Sequence, residues 1–154
     1  MKYFAITSFL FLFVVTGVSN AYACTCSPPS QRSAYRDAKA VFIGQVIEVN
    51  EKTPIPPKLK DAVFYGVKFR VEKAWKGARG REITLLSDMG LLSCAHWANK
   101  FRVGEKYLVY AYDKELFDFG CSRSVHLQYA SDDIKRLNSI WFRFFARIYP
   151  FPKL

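Results

Sequence analysis

Hydrophobic and polar positions alternate most cleanly in "VFYGVKFRVEKAW". There Val63, Tyr65, Val67, Phe69 and Val71 interleave with Gly66, Lys68, Arg70 and Glu72. A period of two predicts a strand with one face buried and one wet. Upstream, "VFIGQVIEV" (Val41 to Val49) is a second β run, and Gly44 inside it predicts a bend or bulge. "EITLLS", "KYLVYAYD" from Lys106 and "ELFDFGCSRSVHL" predict three more strands, the last ending around Cys121. The turn "KGARGR" and the proline-rich, charged "NEKTPIPPKLKD" separate strands, and "DMGLLSCAHWANKFRVGE" reads as irregular.

Two stretches have helical spacing instead. In "SPPSQRSAYRDAKA", Ser30 is placed to cap a short helix with Ala34, Tyr35 and Ala38 on one face. From Ser131, the acids Asp132 and Asp133 suit a helix N-terminus. Ile134, Leu137, Trp141, Phe144 and Ile148 then form one apolar stripe that Pro150 and Pro152 stop. The plain reading buries Trp141 and Phe144 in the core. Phe142, Phe145 and Phe151 are surplus to that stripe and lie near Arg143, Arg147 and Lys153, so residues 141–154 are also a candidate membrane-surface or partner-binding tail. Five strands framed by a short N-terminal and a longer C-terminal helix predict a mainly β fold, a small closed barrel of the OB type.

The start of the chain changes where this domain is expected to work. Lys2, an uncharged run from Tyr3 to Val15, and Ala21-Tyr22-Ala23 have the layout of a secretory signal peptide at residues 1–23. Residues 24–154 are then one domain with room for a core. The expected location is secreted, or periplasmic if the source is bacterial. A cysteine directly after a signal peptide is also where bacterial lipoproteins are cut and acylated. Ala21 and Tyr22 replace the aliphatic and small residues such a site prefers, so lipid anchoring at Cys24 is the lesser reading.

All four cysteines, Cys24, Cys26, Cys94 and Cys121, follow the predicted cut. An even count in an oxidising compartment reads as two disulfides, and three pairings are formally open. A Cys24–Cys26 bond would close a tiny strained loop, which favours two long-range bridges, each worth about 2–4 kcal/mol. A zinc site from Cys24, Cys26, Cys94 and His96 lacks the paired C-x-x-C knuckles of structural sites. His96 and His126 are the only histidines, and no H-E-x-x-H or G-x-S-x-G occurs. No catalysis and no resident cofactor are expected, and Asp132 and Asp133 read as helix-start charges rather than an acid–base pair. A net charge of +10 suits solubility, acidic polysaccharide or an anionic membrane surface. Export argues against nucleic acid, and a monomer is expected.

"CTCSPP" at the predicted mature terminus, followed by "AYRDAKAVFIGQV", closely resembles the N-terminal domain of the tissue inhibitors of metalloproteinases. "VEKAWKG" is similar to that family's strand-ending aromatic-Lys-Gly, and "CSRSVHLQYASDDIKRLN" to its cysteine-bearing fifth strand and C-terminal helix. The likeness spans nearly all of 24–140 at low identity. It implies a netrin-like fold on a five-stranded OB-like barrel, and the bridges Cys24–Cys94 and Cys26–Cys121. It also implies inhibition of a zinc metalloprotease. The family's third disulfide and its cysteine-rich second domain have no counterpart here, so functions of that second domain do not transfer.

The chemistry behind that expectation is simple. A catalytic zinc keeps three protein ligands and an open position held by water. Only a first residue offers both an α-amine and its own carbonyl oxygen, which together close a five-membered chelate on such a metal. The amine must be neutral, and its ordinary pKa of about 7.7–8.0 makes that cheap near neutrality. Under the resemblance Cys24 chelates the target's zinc and Thr25 enters the pocket beside it. Cys26, Ser27 and Pro28 extend the edge in the cleft, and Ser93 and Ala95 flank it through the first bridge. The alternative is a non-inhibitory exported netrin-like binding module.

Overall fold

The computed structural model describes residues 27–50, 64–87, 101–114, 116–119 and 121–148. Along the chain come α1 (Gln31–Asp37), β1 (Ala40–Asn50), β2 (Tyr65–Lys76), β3 (Glu82–Ser87) and β4 (Lys106–Ala111). Then follow β5 (Phe117–Asp118), β6 (Val125–His126), a 3₁₀ turn at Leu127–Tyr129, α2 (Ser131–Asn138) and α3 (Ile140–Ile148). The fold is mainly β: among the described residues, one curled, mixed half-barrel sheet in the order β5-β3-β2-β1-β4-β6, with three helices. The expected loop from Asn50 to Asp61 lies, past Asn50, outside the described residues, as does the irregular stretch that begins at Asp88 until Phe101.

β1 is the spine, antiparallel to both β2 and β4. Its side chains feed two cores in turn. Val41 and Ile43 pack with Tyr35, Trp75, Leu108, Tyr110 and Leu137 beneath the helices. Ala40, Phe42 and Val46 pack with Val67, Phe69, Leu85, Phe101 and Val109 inside the curl. A strand buried on both faces has no polar alternate, which is why "AVFIG" (Ala40 to Gly44) reads as a continuous apolar run. Gly44 carries the expected irregularity: the β1–β2 register shifts between Ile43 and Gly44, and a Cβ there would sit 3.0 Å from the Arg70 carbonyl.

The curl is drawn in by Phe117. It pairs in parallel with Leu86 of β3, and it bridges Tyr112, the residue after β4. The Phe117 amide donates to the Tyr112 carbonyl at 2.7 Å, and the Tyr112 amide donates back at 2.8 Å. The fifth strand, expected to end around Cys121, is only Phe117–Asp118, and a separate short strand, Val125–His126, follows the Cys121–Ser124 turn on the opposite edge of the sheet. Six strands replace five.

"WKG" at the end of β2 has three separate jobs. Trp75 is buried under the helices, and its indole N–H donates to Asn138 Oδ1 at 3.1 Å. The Lys76 ammonium donates to the Tyr35 and Arg36 carbonyls, both at 2.9 Å, satisfying the C-terminal end of α1. Gly77 has φ +70°, and a Cβ there would fall 1.9 Å from the Lys39 carbonyl oxygen.

The C-terminal helix departs from expectation. It is broken at Ser139, whose backbone is extended (φ −73°, ψ 123°). The Ser139 hydroxyl accepts from the Phe142 amide at 3.4 Å, while Asn138 is held by Trp75 and by Lys73 at 2.8 Å. The break resets the helical phase, so Leu137, Phe142 and Ala146 face inward. Trp141 and Phe144 are 71% and 52% exposed, not core residues. Pro150 and Pro152, expected to end the helix, lie outside the described residues.

Gly77→Ala is expected to cost about 2–4 kcal/mol in urea denaturation, since it adds a backbone clash to a strained φ. Gly104→Ala, at φ +89° with open space around it, should cost only about 1–2 kcal/mol. Equal losses would show that the Lys39 contact contributes nothing.

Candidate functional site

Ser27 and Pro28 stand exposed where the chain enters the domain, and Pro29 is half-buried behind them. What holds them is Arg123, on the turn before β6. Its Nη1 donates to the Pro29 carbonyl at 3.0 Å. Its other nitrogens grip Asp133 through two parallel bonds, Nε to Oδ2 at 2.7 Å and Nη2 to Oδ1 at 2.8 Å. These bonds raise the Arg123 pKa above its ordinary value, so the guanidinium stays charged.

Asp133 is in the first turn of α2, where the helix dipole favours a carboxylate. Its Oδ2 also accepts from the Tyr110 hydroxyl at 3.1 Å, and its backbone oxygen from Gln31 Nε2 at 2.7 Å. Asp133 thus joins α2 to β4 through its carboxylate, to α1 through its backbone oxygen and, by way of Arg123, to the entering segment. The sequence reading of Asp133 as a helix-start charge is correct but incomplete, and Arg123 was not singled out. The only signal was an arginine flanked by two serines inside "CSRSVH", just past the strand expected to end around Cys121.

Those serines pin the same turn from the other side. Asp118, almost fully buried, accepts from the Ser122 and Ser124 hydroxyls, both at 2.6 Å. Ser124 Oγ in turn accepts from the Tyr110 amide at 2.9 Å, and Ser122 Oγ from the Ser124 amide at 3.1 Å. Cys121, exposed at the head of this turn, is disulfide-bonded rather than free. Its partner cysteine lies outside the described residues.

Pro29 and Pro28 each line one of two open depressions. One, of about 440 Å³, is lined by Pro29, Asp37, Tyr112, Phe119 and Cys121. The other, of about 240 Å³, is lined by Pro28, Arg123, Val125 and Tyr129. Phe119 and Tyr129 are 40% and 72% exposed, so each depression has a solvent-facing aromatic wall.

Of the residues predicted to act, Ser27 and Pro28 are exposed, and Pro28 lines the second depression. Cys24, Thr25, Cys26, Ser93 and Ala95 lie outside the described residues, as do Cys94, His96 and the Cys24–Cys94 bridge. Among the described residues, no group of three His, Cys, Asp or Glu side chains is placed to hold a metal. His126 is half-buried: its Nδ1 accepts from the Gln128 amide at 3.3 Å, and its ring meets Tyr107 edge-on. No protein-family model matches the chain, and no curated protein is significantly similar to it.

Arg123→Met is expected to destabilise the domain by about 2–3 kcal/mol, because it leaves the Asp133 carboxylate buried without its countercharge. Hydrogen exchange should rise at the start of α1 in the same variant. Adding Asp133→Asn should cost less than the sum of the two single changes. An additive result would mean that the pair is not coupled.

The buried tyrosines predict an alkaline limit. Burial, aided by a bond to Glu105, pushes the Tyr107 phenol up to about 12, and burial beside Asp118 does the same for Tyr112. Tyr110 is also raised, by burial and then by Asp133. Unfolded phenols lose their protons near 10, so above that pH the unfolded chain binds fewer protons than the folded one. Stability should hold up to about pH 10 and fall between about 10 and 12. A flat denaturation midpoint across that window would contradict it.

Proposed function

We propose that this chain is an exported inhibitor of zinc metalloendopeptidases, with Cys24 as its first residue and its reactive group. The observation that carries the reading is the double anchoring of the entering segment. The Pro29 carbonyl is held by Arg123, and the turn bearing the disulfide-bonded Cys121 is held by Asp118. Three residues before Pro29 comes Cys26, which under the resemblance pairs with Cys121. A terminus fixed at both points would keep Cys24–Pro28 extended and proud of the surface before any target arrives. Ordering it in advance lowers the entropy lost on binding.

The fold reading is a netrin-like, OB-type barrel. Its support is the strand circuit: β1 pairs β2, β2 pairs β3, β3 pairs β5, β5 bridges the end of β4, and β4 pairs β1. A sheet that returns to its first strand is what a small closed barrel requires.

In the mechanism, the neutral Cys24 amine and its carbonyl oxygen displace the water of the target's zinc. That removes the nucleophile which would hydrolyse a substrate. Thr25 fills the adjoining pocket, Cys26, Ser27 and Pro28 run along the cleft, and Ser93 and Ala95 flank them. The zinc belongs to the target. A non-inhibitory exported binding module is the second reading, favoured by the exposed aromatic face of α3.

The test is a panel of zinc endopeptidases assayed with protein whose intact mass places Cys24 first, beside a version with one extra N-terminal alanine. Inhibition is expected from the first, with a loss of at least about 100-fold in the second, the scale of disturbing a metal ligand. Inhibition should weaken as pH falls below about 7.7, because a protonated amine cannot bind metal. Equal potency would exclude the terminus as ligand. No inhibition from either would leave the binding module, and a mass increase from fatty chains would rule out chelation, since acylation turns the amine into an amide.

A further inference from the structure

The Ser139 break leaves α3 with an outer face that stays largely in solvent. Ile140 is 73% exposed, and Trp141, Phe144 and Phe145 are 71%, 52% and 41% exposed. At about 100° per residue, these four span an arc of about 140°. Their rings form one apolar plate: Trp141 stacks on Phe145 at 6.0 Å, and Phe144 meets Phe145 edge-on at 5.7 Å. The opposite side of α3 is committed to the domain. Phe142 packs on Tyr35, Ala146 is buried, and Arg32 Nη2 donates to the Phe145 carbonyl at 2.9 Å.

The charge carried by this end of the sequence has one sign. After Asp133 the sequence contains no acidic residue through Leu154, but it contains Lys135, Arg136, Arg143, Arg147 and Lys153. Lys135 and Arg136 are exposed in the last turn of α2. With Arg143 on α3, they make no ion pair among the described residues. A second copy of the chain would bring like charges together across this face. A surface of anionic headgroups over acyl chains would satisfy both the cations and the rings.

We infer that α3 is an interfacial membrane anchor, lying flat on an anionic lipid surface with Ile140, Trp141, Phe144 and Phe145 inserted at the headgroup boundary. Among the described residues, no helix is long and apolar enough to cross a membrane, so the association is peripheral. It does not depend on the inhibitor reading, since Cys24 plays no part in it.

The experiment is flotation of the exported chain with vesicles of phosphatidylcholine containing phosphatidylglycerol, and with phosphatidylcholine alone. Its intact mass is first measured to exclude acylation. The chain should float with the anionic vesicles, less so at high salt, and weakly with the neutral ones. Trp141→Ser with Phe144→Ser should reduce partitioning at least about tenfold at an unchanged Tm, because both side chains are already in water. In the unmutated chain, brominated acyl chains should quench tryptophan fluorescence, and Trp141→Phe should float equally but lose that quenching. Failure of the parent chain to bind anionic vesicles would overturn the inference. So would equal partitioning of the double variant, quenching that survives Trp141→Phe, or sedimentation showing that these side chains hold a dimer instead.

Discussion

A carboxylate with only a tenth of its side chain in contact with solvent must have its charge met within the protein. Asp133 meets that demand with a fork of two bonds from Arg123 and one from Tyr110. Because Arg123 also reaches the Pro29 carbonyl, the arrangement fixes where the chain enters the domain as well as how α2 docks. The desolvation cost of such a pair is large, and a hydrophobic substitute of equal volume could match its stability. What an apolar patch could not supply is direction: the guanidinium plane aligns two partners, Pro29 and Asp133, from distant parts of the sequence at once.

The second neighbouring network, Asp118 with Ser122 and Ser124, does the same for the turn that carries Cys121. The two networks share Tyr110, whose amide meets Ser124 and whose hydroxyl meets Asp133. A disulfide limits the distance between two backbones but leaves their orientation loose. Side-chain bonds on either side of Cys121 supply the orientation. Rigidity in this region therefore comes from polar contacts, although the bulk of the domain is held by two apolar cores.

Regular elements were legible where period and burial agreed. The alternation in β2, the short helix after Ser30 and the bend at Gly44 all follow from one-dimensional patterns. The misses have physical causes. Between Phe117 and His126 the chain turns sharply enough to leave one sheet edge and join the other, and hydropathy does not record a change of edge. The stripe Ile134-Leu137-Trp141-Phe144 looked continuous because a helical wheel assumes an unbroken phase, and the Asn138–Ser139 pair carries no Gly or Pro to warn of the stop. The pairing of Arg123 with Asp133 escaped notice because a buried ion pair looks, in sequence, like two ordinary surface charges.

The double-sided burial of β1 has a consequence for how this domain can vary. Neighbouring residues along that strand, such as Phe42 and Ile43, answer to different sets of contacts on opposite sides of the sheet. A change in bulk at one must be compensated among the strands that line the curl, and a change at the next among the helices. Drift in the two compartments can then proceed separately, with the backbone of a single strand as the shared wall that neither may move.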